Sequence, residues 1–414
     1  MSLAWISVAA LVLAITLSCT TTINVGVLSL ALALVVGVAL ADMSPAQVLE
    51  GFPIDLFATL VGVTLLFAIA EVNGTLARVT QRAVRLCRGH AGLLPVMFFA
   101  VGFVLATIGA GATPASALLA PPAMAVAARA GVPPFLMAVM AGNGALAGTL
   151  SPFAPTGIVA NGKMAEIGLA GFEWQTFAYN ALAHALVGIG GFLLFGGWKL
   201  FQRGAGRANA ADVETAEPMD ARHWLTAAGI VAFIVPVTVF KLNVGMVALI
   251  VAAALVLLRA VDEPKAIARM PWGVILMVSG VSVLIALLRE TEGLALITSG
   301  IASLSTPTTI EPIVAFGVGL VSVYSSTSGV VLPAFLPMVP DLAARLGDLD
   351  PVPIALSMNV AASLVDLSSL STGGALFIAG AAGFADTRKL FNQLLAWGMS
   401  MTLVGAVLCY VLFG

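Results

Sequence analysis

Apolar runs long enough to cross a bilayer recur along the whole 414-residue chain, and no other feature limits its fold as strongly. About 20 helical residues, rising 1.5 Å each, span the roughly 30 Å hydrocarbon core. Apolar spans and breakers place helices near residues 3–18, 23–41, 54–77, 134–170 with an interruption, and 176–201. A similar series follows near 223–240, 243–260, 271–288, 351–385 with an interruption, and 388–413. Only 9% of the residues are charged, 60% are hydrophobic and the mean hydropathy is +1.08. Soluble globular chains carry about 25% charged residues. This much charge cannot clothe a water-facing surface, so the expected class is an all-α integral membrane protein with about ten transmembrane helices.

The run from Leu3 to Ser18 lacks a basic leader and is followed at once by a second apolar segment, so it reads as a retained helix rather than a cleaved signal. Cys19, Cys87 and Cys409 are dispersed with no metal or redox spacing and read as small packing residues. A net charge of -2 implies no nucleic-acid partner.

The polar stretch 202–222 divides the chain into halves of residues 1–201 and 223–414. Each half also holds an apolar stretch split by small and polar residues, at 92–130 and at 312–346. Arms of about 14 to 16 residues reach only about 21 to 24 Å, so both stretches are expected to be re-entrant hairpins. Irregular backbone at that depth persists only where it faces protein or water, which directs both tips toward a cavity.

The halves match at a spacing of 216 residues. Ala127-Ala128-Arg129-Ala130-Gly131 returns as Ala343-Ala344-Arg345-Leu346-Gly347, Asn143 falls on Asn359, and Pro155-Thr156-Gly157 falls on Ser371-Thr372-Gly373. In this arrangement fourteen of the 18 basic residues lie on one side, leaving Lys163, Lys241, Arg289 and Arg345 on the other. The positive-inside rule makes the rich side cytoplasmic, which puts both termini outside a bacterial-type inner membrane and makes the halves inverted-topology repeats.

The first tip reads Gly109-Ala110-Gly111-Ala112-Thr113-Pro114 and the second Ser325-Ser326-Thr327-Ser328-Gly329. Glycine permits a sharp turn and close approach to a ligand, and hydroxyls donate or accept hydrogen bonds. A helix that begins just after each tip would aim unpaired N–H groups and its positive end at the cavity, a setting for an anion. The plainer alternative is a pair of kinked helices with back-bonded Ser and Thr.

The interrupted helices carry the second pair of elements. Asn143 leads into Gly148-Thr149-Leu150-Ser151-Pro152-Phe153-Ala154-Pro155-Thr156-Gly157, and Asn359 into Asp366-Leu367-Ser368-Ser369-Leu370-Ser371-Thr372-Gly373-Gly374. The prolines free carbonyls of the preceding turn, and freed carbonyls with hydroxyls are the hard oxygen ligands a small cation needs. Gly111, Ala112, Thr113, Thr327, Ser328, Gly329, Pro155, Thr156, Gly157, Ser371, Thr372 and Gly373 are therefore the expected substrate contacts. Asn143, Thr149, Ser151, Asn359, Asp366 and Ser368 are the expected Na+ contacts. Asp366 could ligate a cation, accept a proton or cap the half-helix that follows. His184 has no acidic or hydroxyl neighbour one turn away and is expected to pack or to line the interior. No lysine or arginine lies at a tip or a break, so the charge of a bound dianion would be met by helix ends, hydroxyls and cations. No phosphate loop, nucleophile elbow or His/Asp metal spacing supports an ATP-driven pump or a hydrolase, and neither an enzyme nor a resident cofactor is expected.

These elements resemble the ion-transporter superfamily over nearly the whole chain, in particular the divalent-anion:sodium symporters and the malonate or dicarboxylate carriers related to them. The Ser-Asn-Thr motif at each hairpin tip of the symporters aligns with Gly111-Ala112-Thr113 and with Thr327-Ser328-Gly329, both without the asparagine. The run Ser151-Pro152-Phe153-Ala154-Pro155-Thr156-Gly157 is similar to the malonate-carrier branch. The resemblance implies a homodimer in which a transport domain of hairpins and broken helices moves as an elevator against a fixed scaffold domain. It implies secondary transport of a small carboxylate, in the C3 or C4 dicarboxylate range, coupled to Na+ or H+. Two alternatives remain at this stage: a cation/proton antiporter of the same architecture, and the membrane subunit of a binding-protein-dependent carboxylate transporter.

Overall fold

A computed structural model describes residues 2–21, 23–85, 91–201, 218–383 and 385–414. Residues 202–217 of the expected linker, with Arg203 and Arg207, lie outside the described residues, as do Cys87 and Arg88. Among the described residues the regular structure is entirely helical. Helices satisfy their own backbone polar groups, which is what an apolar surrounding requires.

The first half begins with α1 (Leu3–Thr20), α2 (Val25–Ala39), the short α3 (Pro45–Leu49), α4 (Ile54–Val72) and α5 (Thr75–Arg85). The first hairpin is α6 (Leu93–Leu105) with its π-turn Ala106–Ala110, returning as α7 (Ala112–Ala130). The interrupted helix is α8 (Pro134–Ala147) and α9 (Pro155–Glu166), and α10 (Glu173–Leu194) ends the half. The second half runs α11 (Ala221–Val239), α12 (Val244–Leu257), α13 (Glu263–Arg269), α14 (Trp272–Glu290) and α15 (Gly293–Ser303). Its hairpin is α16 (Ile310–Tyr324), a π-turn Thr327–Val331, α17 (Leu332–Phe335), a 3-10 turn Leu336–Met338 and α18 (Val339–Arg345). The interrupted helix α19 (Pro351–Leu364) and α20 (Thr372–Gly380), then α21 (Thr387–Phe413), complete the chain.

Several of these boundaries correct the sequence reading. The span 54–77 is two helices, since α4 stops at Val72 and Asn73-Gly74 turns the chain, with Gly74 at φ +83°. Three of the four hairpin arms are longer than expected: Leu93–Ala110 has 18 residues, while Ala112–Ala130 and Thr327–Arg345 have 19 each; Ile310–Tyr324, with 15, is as expected. Pro333, Pro337 and Pro340 divide the last of these arms into short pieces, because each removes a backbone donor. The last span of the first half, expected over 176–201, closes at Leu194 and is followed by a 3-10 turn Gly197–Leu200. Seven described helices are long and apolar enough to cross a membrane, and seven shorter apolar helices of 10–17 residues join them.

Helix crossings are close at small residues. A Cβ added to Gly26 of α2 would sit 2.0 Å from Leu276 O of α14, and one on Gly280 1.9 Å from Gly26 O. The partner crossing of α4 with α12 is similar, with Gly62 against Gly245 O and Gly245 against Thr59. Such backbone-to-backbone contact replaces the hydrophobic drive that lipid cannot supply between helices. Large apolar side chains instead point outward, among them Leu194, Leu257 and Val411. The ends are pinned by polar staples. Arg269 Nε donates to Glu71 Oε1 at 2.8 Å, and Asn73 Nδ2 donates to Thr226 Oγ1 at 2.7 Å. The Asp220 carboxylate caps α11, and the backbone N–H of His223 holds it below the usual carboxylate range.

The innermost layer is formed by the first halves of the broken helices. Every residue from Phe135 to Ala147 of α8 is buried, and α19 is nearly as enclosed. α8 packs on α6, α7 and α10, while α19 packs on α16, α10 and α21.

Candidate functional site

Backbone geometry at the first tip follows from two glycines. Gly109 has φ +124° and Gly111 φ +79°, values that side chains disfavour, and a Cβ at Gly109 would meet the Phe67 ring at 2.2 Å. The chain therefore reverses here and α7 begins at Ala112 with no side-chain cap. α9 likewise starts uncapped, with Pro155 in its first turn. In the second half serines fill the role: Ser326 Oγ accepts from Gly329 N at 3.1 Å and Ser371 Oγ from Gly374 N at 3.3 Å.

The two breaks share one hydrogen-bonded pattern. In the first, Thr149 N donates to Leu146 O (3.0 Å), Ser151 N to Gly148 O (3.1 Å) and Ala154 N to Ser151 O (2.9 Å). In the second, Asp366 N donates to Ser363 O (3.1 Å), Ser368 N to Val365 O (2.9 Å) and Ser371 N to Ser368 O (3.0 Å). Phe153 N and Leu370 N each donate 3.3 Å to a serine Oγ, of Ser151 and Ser368. The spacing between these loops is thus 217 residues, as between Thr149 and Asp366, and not the 216 read from sequence. One extra residue in the loop between Gly347 and Pro351, relative to that between Gly131 and Pro134, accounts for the shift. Pro155 therefore corresponds to Thr372 and Gly157 to Gly374.

Both tips and both breaks meet at one cavity of about 260 Å3. Ala112 and Thr113 from the first tip and Thr327 and Ser328 from the second line it. The breaks contribute Thr149, Thr156, Asp366, Ser371, Thr372 and Gly373. Thr327 Oγ1 donates to Asp366 Oδ1 at 2.7 Å, so the second tip is tied directly to the second break. Ser322 Oγ lies 2.6 Å from Thr327 Oγ1 and donates to Ala362 O at 3.0 Å. Asp366 is the one carboxylate and no lysine or arginine lines the space among the described residues. The buried Ser325 Oγ, also on the wall, has no protein partner.

The remaining expected contacts support this wall from behind. Gly111 lies against Pro155, and Gly329 against Met277. At Gly157 a Cβ would be 2.0 Å from Ser151 O, and at Gly374 2.0 Å from Ser368 O, so these glycines admit the break loop itself. Ser151 Oγ donates to Thr107 O at 2.7 Å, and Ser368 is buried within its own loop. Asn143 and Asn359 are fully buried and stand off the cavity wall. They match at 216 residues while their helices match at 217, and one residue turns a side chain by about 100° about a helix axis. Accordingly Asn143 faces His184 of α10, whereas Asn359 Nδ2 points 3.2 Å to Met164 Sδ of α9.

Sequence reasoning missed Ser116, Tyr324, Val274 and Met277 on the cavity wall. Ser116 stands one turn beyond Thr113 on α7 and was open to inference. Val274 and Met277 belong to α14, which carried no local signal. His184 does have hydroxyl company: Ser363 Oγ of α19 lies 3.1 Å from Nε2, although 179 residues away in sequence.

Comparison with known proteins agrees with this architecture. Residues 1–149 match a family model described as the dicarboxylate carrier protein MatC N-terminus. No curated protein matches the chain. Among solved structures, the YdaH transporter of Alcanivorax borkumensis, reported to have an unusual topology, superposes with a TM-score of 0.60 at 19% identity, over 88% of this chain and 86% of that one. That identity speaks for the fold alone. With a dicarboxylate-carrier match over residues 1–149, the fold of that solved transporter over most of its length and seven described helices long and apolar enough to span, the chain is a multi-pass membrane protein whose N-terminal part is similar to the dicarboxylate carriers.

Proposed function

We propose that the protein carries small carboxylates across a bacterial-type inner membrane, with C3 or C4 dicarboxylates such as malonate and succinate as its class, coupled to Na+ or H+. The observation that carries this reading is the cavity of about 260 Å3 where both tips and both breaks meet. It is smaller than the roughly 300–1,000 Å3 of pockets for drug-sized ligands. Its wall presents hydroxyls together with the first turns of α7 and α9, whose N–H groups have no side-chain cap. Helix N-termini and hydroxyls suit carboxylate oxygens, and Asp366 with the neighbouring hydroxyls supplies hard oxygen ligands for a small cation.

Two inverted halves are favoured by the swapped crossings, α2 on α14 with α4 on α12, and by the identical hydrogen bonding of the two breaks. Val274 and Met277 of α14 close the cavity from outside the hairpins and broken helices. That division suits an elevator motion of α6–α10 and α16–α21 against α1–α5 and α11–α15, in a homodimer with both termini outside. Proteoliposomes bearing the pure protein should accumulate labelled malonate or succinate under an inward Na+ or H+ gradient. Failure with every mono- and dicarboxylate tried would sink the proposal. Asp366, as the one carboxylate on the wall, also favours a second reading, a cation/proton antiporter. An Asp366→Asn variant with full carboxylate uptake and unchanged cation dependence would exclude that second reading.

A further inference from the structure

We propose that the two walls of the cavity take different chemical groups: the first-half wall seats one carboxylate, and the far end of the bound molecule meets Asp366. In that orientation the site accepts a hydroxyl beside Asp366 as it stands, and a second carboxylate only together with a positive charge. The substrate class is then wider than the dicarboxylates and includes small hydroxycarboxylates. This rests on the carboxylate-transport reading above and orients the molecule within it.

Each wall belongs to one half of the chain. A Cβ at Gly111 would lie 3.1 Å from Pro155 Cδ, so the first tip adjoins the first break. Thr327 Oγ1 donates to Asp366 Oδ1 at 2.7 Å, which joins the second tip to the second break.

On the first wall the polar groups are uncommitted. Ser116 and Thr149 are each only 2% exposed and line the cavity, and neither hydroxyl has a hydrogen-bond partner among the described residues. Buried hydroxyls as a rule are hydrogen-bonded, so a pair left without protein partners on a cavity wall points to a ligand. Both remain accessible, and the space they reach is the cavity. Thr113 and Thr156 add two more hydroxyls, and α7 and α9 begin here without a side-chain cap. No carboxylate stands among the first-half residues of the wall. Hydroxyl donors beside two helix N-termini favour a carboxylate. Thr149, expected from sequence to contact a cation, thus serves the anion.

On the second wall the corresponding groups are largely committed. Ser326 Oγ accepts from Gly329 N at 3.1 Å, and Ser371 Oγ donates to Ser368 O at 2.8 Å while accepting from Gly374 N at 3.3 Å. The Thr327 hydroxyl proton goes to Asp366. Ser328, Thr372 and the Asp366 carboxyl remain for the bound molecule. A second carboxylate brought here would place two carboxyl groups in one site, which is stable only with a proton or a cation between them. A hydroxyl instead donates to Asp366 and accepts from Ser328 or Thr372, with no added charge.

Malonate and 3-hydroxypropionate are a matched pair, because a CH2OH group replaces one carboxylate on the same carbon chain. Their binding to the purified full-length protein is measured by calorimetry at about pH 8, where carboxylic acids are ionised, with choline as the only added cation. Malonate should bind at least about tenfold more weakly than 3-hydroxypropionate, and in Asp366→Asn that difference should disappear. Ser116→Ala and Thr149→Val remove partners of the shared carboxylate, so each should weaken both ligands alike, by about tenfold. Malonate binding as tightly as 3-hydroxypropionate, or first-wall variants that weaken only one of the pair, would overturn the proposal. The comparison of the two ligands on wild type needs no variant, so it decides the matter even where a substitution prevents folding. If the pair binds alike, the carboxylate function stands and the orientation falls; if no mono- or dicarboxylate binds or is transported, both fall.

Discussion

Gly157→Ala should do more harm than any other single methyl group added to α9. The new Cβ would lie 2.0 Å from Ser151 O and 2.7 Å from the carbonyl carbons of Leu150 and Ser151, all backbone atoms of the break loop. Real contacts of this kind need more than 3 Å, so loop and helix must part by about 1 Å, an overpacking that costs about 1–3 kcal/mol. Alanine returns about 0.5–1 kcal/mol of helix propensity, leaving a net loss of up to about 2.5 kcal/mol. The same movement strains the bond from Gly157 N to Thr149 O at 3.1 Å and shifts Thr149 and Thr156, two cavity residues. Gly162→Ala on the same helix is the control, because its Cβ would meet Leu56 Cδ1 at an ordinary 3.4 Å. In detergent, thermal unfolding followed by tryptophan fluorescence should place Gly157→Ala a few degrees below wild type, with Gly162→Ala at or above it. Malonate uptake should fall at least tenfold in the first variant alone. If Gly157→Ala unfolds and transports like wild type, the break loop is not held by backbone contact as described.

Thr327→Val removes the donor to Asp366 and the hydroxyl beside Ser322, and loss of buried partners of this kind costs about 1–3 kcal/mol; it should also lower apparent cation affinity in uptake assays, whereas Thr327→Ser should restore both. Glu71→Gln breaks an ion pair in which Arg269 is exposed and the Glu71 carboxylate partly covered, so the expected stability loss is about 1 kcal/mol and should shrink in 1 M salt, as read by thermal unfolding. Asp220 is held below the usual carboxylate range chiefly by the His223 backbone N–H, so its stabilisation of α11 is complete above the ordinary aspartate value and fades as pH falls through the lowered one. Hydrogen exchange in the first turn of α11 should accelerate over that acid interval in wild type, and Asp220→Asn should flatten the pH response.

Much of the site was legible because its composition is anomalous for a membrane interior. Gly109-Ala110-Gly111, Ser325-Ser326-Thr327-Ser328-Gly329 and the Pro152–Pro155 break interrupt apolar runs, and the cavity is built largely from those interruptions. The roles within them were less legible. Gly157 and Ser151 look like ligands in sequence but serve the packing of the loop, a fact that depends on a 2.0 Å approach no periodicity encodes. Asn143 and Asn359 look equivalent, and a single extra loop residue rotates them toward different neighbours. The surroundings of His184 were hidden because its partners, Asn143 and Ser363, come from two other helices and from both halves of the chain. α3, α5, α13 and α15 went unread since each is too short to stand out by hydropathy.

The break that carries Thr149 in one half carries Asp366 in the other, so the described cavity wall has one carboxyl group where a strict duplication would have none or two. Under the proposed function, the number of cations that compensate the carboxylate makes membrane voltage part of the transport cycle. A dianion that crosses with too few cations moves net charge, and each uncompensated charge shifts the balance by about 2.3 kcal/mol per 100 mV. The direction in which the loaded carrier runs is then set jointly by solute gradient and potential, and the current that accompanies uptake reports how many cations ride with each carboxylate.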